Sequence, residues 1–299
     1  MTRWRRPVRP FLSRAQLFHL EGEAESRRAL PRTPHDRPAD IRIVELLFAA
    51  RDGDFHALAA LIPLMQQHDD DAFWGEASSL LSSAAPASVL RALVPAFASA
   101  LFETRDDVVQ SWIAETLLNS GLLWTVREAL RIMAAQTDRT TMFAIPARLS
   151  LLLEPAPGPI FNGAQKIADS SDVHGLDDRD FTCDDAPYID GVMRAYAAKR
   201  DAAPLGDDAA LAFGVPIDIE ALARDTLETI GGAADDERIA TVRTILEGYT
   251  GFDLARFYDR KAILDRNGAI GALEALFDAV DLTAYPPGRR MFFGRPVPD

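Results

Sequence analysis

Asp40-Ile-Arg-Ile-Val-Glu-Leu-Leu-Phe-Ala-Ala-Arg-Asp-Gly-Asp-Phe-His-Ala-Leu-Ala-Ala-Leu-Ile-Pro-Leu-Met65 is the stretch that decides the fold. Ile41, Val44 and Phe48 recur at helical spacing, and Phe55, Leu58, Ile62 and Met65 repeat the pattern after a short break. Gly53 stands where the first helix must stop. Asp40 and Asp54 stand where a short acceptor side chain would satisfy the free amides of a first turn. Two amphipathic helices joined so tightly must form an antiparallel pair. Pro63 falls inside the second helix and is expected to kink it, because it lacks an amide hydrogen and clashes with the preceding turn.

The pattern continues outward from this pair. Phe73, Ala77, Leu80 and Ala84 make one apolar face, and Leu90, Leu93, Phe97 and Leu101 make the next. Val109, Ile113 and Leu117, then Leu123, Val126, Leu130 and Met133, make two more. Helix pairs start near Asp40, Asp71, Asp106 and Asp138, at offsets of 31, 35 and 32 residues. Units of this size cannot bury their faces alone and must stack on neighbours. The expected fold is therefore all-α, with stacked antiparallel helix pairs forming a HEAT-like α-solenoid or a repeat-like helical bundle. Further helices are expected at Tyr188 to Arg200, Asp218 to Ile230, Asp236 to Tyr249 and Asn267 to Val280. The last residues read as an irregular C-terminal tail that lays a short extended segment on the surface, anchored by Phe292 and Phe293.

Two segments break the pattern. Residues 1–38 hold nine arginines, four acids and several prolines, which read as a mobile arm. Between Glu154 and Asp190 stand nine acids against Lys166 and Arg179, a long acidic loop of the kind that carries function or tethers halves. The organisation read from this is an arm at 1–38, N-terminal repeats at 39–153, the acidic loop at 154–187 and a C-terminal helical region with its tail at 188–299.

Of the 299 residues 48% are hydrophobic and 26% charged, which excludes disordered and collagen-like classes. No window reaches the length of a membrane span, the N-terminus lacks a signal-peptide core, and the single cysteine precludes an internal disulfide. The expected setting is cytoplasmic. Arginine greatly exceeds lysine beside abundant alanine, the usage of a GC-rich bacterial genome. The net charge is −13, and outside residues 1–38 it is −18, from 23 basic and 41 acidic residues. A chain so acidic is poorly suited to nucleic acid or anionic lipid and favours a basic protein partner.

Catalytic signatures are missing. The histidines at 19, 35, 56, 68 and 174 share no helix face at metal-ligand spacing, and no zinc, hydrolase or nucleotide-binding motif is present. Asp172-Val-His-Gly-Leu-Asp-Asp-Arg-Asp-Phe-Thr-Cys-Asp-Asp185 gathers a histidine, carboxylates and Cys183, but the calcium-loop pattern fits from no starting aspartate. Cys183 and His174 lack an orienting third group. No metal or other cofactor is expected. Asp172, Asp177, Asp178, Asp180, Asp184 and Asp185 are instead candidate partner-binding residues. Asp69-Asp70-Asp71 and Asp235-Asp236-Glu237 read as helix-start acids, and Trp74, Trp112 and Trp124 as core.

Thr244-Ile-Leu-Glu-Gly-Tyr-Thr-Gly-Phe-Asp253, Ala269-Ile-Gly-Ala-Leu-Glu-Ala-Leu276 and Pro287-Gly-Arg-Arg-Met-Phe-Phe-Gly294 resemble HEAT-like all-helical immunity proteins of bacterial polymorphic toxin systems, such as immunity protein family forty-seven. The resemblance covers the last sixty residues, about a fifth of the chain. It implies a cytoplasmic, non-catalytic protein without a cofactor that binds and silences a cognate toxin. The arm and the acidic loop have no counterpart in it. A helical-repeat adaptor or scaffold for an endogenous protein partner fits the same residues. A metal-dependent hydrolase working from the acidic loop is the remote alternative.

Overall fold

The computed structural model describes residues 38–68, 71–136, 144–155, 158, 160, 186–203, 205–232, 236–259 and 263–299. The fold is all-α, with two small β-hairpins. Its helices are α1 (Pro38–Asp52), α2 (Leu61–Gln67), α3 (Asp71–Ala84), α4 (Ala87–Ala96), α5 (Asp107–Asn119), α6 (Thr125–Ala135), α7 (Ala144–Leu153) and α8 (Ala186–Ala202). Beyond these lie α9 (Ile219–Thr229), α10 (Asp236–Thr250) and α11 (Arg266–Ala279). Seven of the first eight, all but α2, form two layers. α1, α3, α5 and α7 pack side by side in one, while the 3-10 turn before α2, α4 with the turn after it, α6 and α8 pack in the other. Each helix of the first layer thus stacks on the one a unit earlier, as apolar faces that cannot be buried within one pair require. α5 is the centre, with Gln110, Ile113, Ala114, Thr116 and Leu117 all buried. Small residues on α3 allow close approach: Ser78 hydrogen-bonds Thr116 across the joint at 2.5 Å.

Local chemistry refines the expected elements. α1 begins at Pro38, so Asp40 lies inside it and is not its N-cap; Asp138 lies outside the described residues. Asp54 stands at the start of its turn but makes no side-chain cap. The second helix is not one continuous α-helix around Pro63. It opens as a 3-10 turn over Phe55–Ala60, and Pro63 falls in the first turn of α2, where a missing amide hydrogen costs nothing. Pro95 sits near the end of α4, and the chain continues through a π turn over Ser99–Glu103 that keeps Phe97 and Leu101 buried. Asp106 caps α5 by accepting from the amides of Val108 and Val109, and Asp218 and Asp265 cap α9 and α11 in the same way.

Two buried clusters hold the molecule. The larger spans α1 to α8, so the helix after the acidic loop packs on α6 and α7. The smaller gathers α9, α10 and α11. Where they meet, the chain repeats itself: Leu211-Ala-Phe-Gly-Val-Pro-Ile217 and Met291-Phe-Phe-Gly-Arg-Pro-Val297 form matching hairpins, Leu211–Ala212 with Val215–Pro216 and Met291–Phe292 with Arg295–Pro296. Each turns on a Phe-Gly pair at positive φ (53° and 73°, 50° and 76°), the backbone of a type I′ turn. The amides of Phe213 and Gly214 donate to the carbonyls of Leu151 and Leu152 at the end of α7, and those of Phe293 and Gly294 to Gly248 and Tyr249 near the end of α10. In each case the turn supplies donors to carbonyls that a helix end leaves open. Among the described residues the order helix, helix, 3-10 turn, hairpin occurs first from α7 and again from α10, the second time with a further 3-10 turn, Ala255–Phe257, between the helices.

The tail is not laid on the surface. Phe292 is 0% exposed and meets Phe55 edge to face at 6.5 Å, while Met291 belongs to the smaller cluster. Arg290 is buried as well, and its guanidinium donates to the carbonyls of Ser82 and Ala85, both at 2.6 Å. The cause lies at Pro86: without an amide hydrogen it cannot serve Ser82, so the end of α3 is left open and a fork from the far end of the chain closes it.

Candidate partner-binding surface

Asp172, Asp177, Asp178, Asp180, Asp184 and Asp185 lie outside the described residues, as do His174, Cys183, Asp69, Asp70 and Asp235. The structure places the stems of the acidic segment. On one side Glu154, just past α7, accepts from the Ser150 hydroxyl and from the Ile160 amide, both at 2.8 Å. On the other, Tyr188 sits near the start of α8, its phenol pushed well above the usual range by burial and by the nearby Glu154 carboxylate. α7 and α8 pack together, which brings Glu154 and Tyr188 close to each other.

The second layer carries a ridge of arginines laid over aromatic rings. Arg91 of α4 lies 4.8 Å from the ring of Trp124, Arg127 of α6 lies 4.8 Å from that of Tyr196, and Arg131 lies 4.3 Å from that of Phe102. Arg200 of α8 reaches the Tyr196 ring from 5.8 Å. Around Tyr196 and Trp124 the contacts form a network. The Tyr196 hydroxyl donates to Asp207, whose backbone carbonyl accepts from the Trp124 amide, and Asp208 pairs with Arg91 at 2.8 Å. Burial, then the bond to Asp207, raises the Tyr196 pKa. Arg200 pairs with Asp201, and Arg131 reaches Glu128 only at 3.7 Å. Trp74 and Trp124 are buried and Trp112 half-buried, as the helix stripes indicated.

The charges at the joint between the two clusters serve the fold. Glu247 is fully buried, accepting from Arg243 and from the Leu254 amide. Arg290 has its pKa pushed down to about 10 by burial, partly offset by Tyr249, so it stays protonated at neutral pH. A crevice of about 30 Å³ beside Arg148 has room for a water. Among the described residues no three His, Cys, Asp or Glu side chains converge as a metal site requires, and no helix is long and apolar enough to cross a membrane.

Sequence reasoning missed the ridge. Trp124, Arg127 and Arg131 stand at helical spacing and were a visible signal, but Tyr196 and Phe102 reach them only through the stacking of layers. No family model, no curated protein and no solved structure matches the chain.

Proposed function

We propose that this chain is a non-catalytic protein-binding protein, an immunity protein that binds and neutralises a cognate bacterial toxin in the cytoplasm. The observation that carries the binding reading is the ridge. Arginine is among the residue types that dominate interface energetics, and here stacked helices carry Arg91, Arg127 and Arg131 along one layer, each held over an aromatic ring, with Trp124 and Tyr196 buried beneath them. Helical stacks suit this work because they offer an extended surface for a partner. The acidic segment, with Asp172 to Asp185, is the proposed contact for a basic toxin, which its charge would steer into place. The immunity reading itself rests on the resemblance of the last sixty residues.

Affinity capture with the full chain from its native organism, washed at low and then moderate salt, tests this. One dominant basic protein that leaves as salt rises supports neutralisation through an acidic surface. Several housekeeping proteins would point to an adaptor, and a capture that retains nothing would overturn the reading.

A further inference from the structure

We infer that α6 carries a second recognition site, for an extended acidic segment of a protein partner, formed by Arg127 and Arg131 with Arg200 beside them. The inference rests on the protein-binding reading but names the opposite polarity from the acidic loop. Arg127 and Arg131 are one turn apart on an exposed face, so their side chains start about 5–6 Å from each other. Each guanidinium is held against a ring from another element, Tyr196 of α8 or Phe102 of the π turn. The contact with the ring holds the group in place, and its exposed N–H edge can grip a carboxylate with two bonds. Among the described residues Arg127 makes no ion pair, and the nearest carboxylate to Arg131 is 3.7 Å away on a side chain from its own helix.

The spacing names the ligand. Alternate residues of an extended strand point the same way about 6.8 Å apart, which matches two arginines one helical turn apart. A nucleic acid fits less well. Asp201, Asp208 and Glu128 are interspersed along the ridge, and the chain carries −13 overall, so a continuous run of phosphates would meet repulsion that discrete carboxylates can avoid.

The test uses a fluorescein-labelled peptide of alternating glutamate and serine, a matched lysine–serine peptide and a single-stranded DNA, each titrated into the full chain by fluorescence anisotropy. The glutamate peptide is expected to bind at low salt and to lose at least tenfold in affinity in R127A/R131A. R127K/R131K, which keeps the charge without the flat stacked group, should fall between, and Arg42→Ala on α1 should change nothing. No binding of the glutamate peptide, equal binding by the double variant, or DNA binding that depends on the same two arginines would each overturn the inference. Toxin protection by the R127A/R131A variant separates the two proposals, because the acidic loop is intact in it. If the peptide fails to bind while protection persists, this site is refuted and the immunity reading stands.

Discussion

Arg290→Ala removes the fork that closes the end of α3. The side chain is 5% exposed and donates to two carbonyls at 2.6 Å, one of which faces Pro86 where an amide hydrogen would otherwise stand. A hydrogen bond from a charged group contributes about 1.5–3 kcal/mol, so two amount to roughly 3–6 kcal/mol. Against this, the variant no longer has to desolvate a buried cation, which returns part of the loss. The net expectation is a destabilisation of about 3 kcal/mol, or a fall in Tm of about 6–12 °C for a domain of this size. Arg290→Lys tests the geometry, because an ammonium reaches one carbonyl well but not both, and it should lose about half as much. Urea unfolding followed by circular dichroism measures both. A loss below about 1 kcal/mol in Arg290→Ala would refute the idea that the tail holds α3, and so would equal losses for Ala and Lys.

Deleting residues 285–299 should separate the two buried clusters: tryptophan fluorescence, whose described reporters all lie at or before residue 124, is expected to unfold apart from the circular dichroism signal, whereas the intact chain should show one shared transition. Gly214→Ala puts a Cβ 2.7 Å from the Leu153 carbonyl oxygen at φ +73°, while at Gly294 the nearest atom is 3.5 Å away at φ +76°. Gly294→Ala should therefore cost about 1 kcal/mol from backbone strain alone and Gly214→Ala clearly more, read from urea midpoints. Alkaline pH should unfold the protein cooperatively. Tyr188, Tyr196, Tyr249 and Tyr285 all have pKa values raised by burial, so above about pH 10 the unfolded chain releases protons that the folded one retains, and stability falls as pH rises. Phenolate absorbance should rise together with the loss of helix; gradual titration at constant helicity would contradict the burial.

The helix pairs were legible because each apolar stripe is local: Phe73, Ala77 and Leu80, or Ile239, Val242 and Leu246, announce a buried face within a few turns. Asp106 and Asp218 announced their helices for the same reason, as caps act within three residues. What escaped was long-range. Nothing near Arg290 says that Pro86 has left a carbonyl open two hundred positions earlier. Nothing near Phe213 says that its amide will finish α7, although Phe-Gly-Val-Pro and Phe-Gly-Arg-Pro were there to be matched. The ridge was half legible, since Arg127 and Arg131 share a helix face while the rings beneath them come from elsewhere. The acidic segment was read from composition, and the six aspartates singled out in it lie outside the described residues.

The measurement that bears most directly on the central claim is growth of a bacterial host expressing the protein encoded beside this chain, with and without the chain itself. The account predicts that growth stops without it and resumes with it, and that the two proteins elute together as a complex that moderate salt weakens. Growth arrest that the chain fails to relieve, with no complex formed, would contradict it.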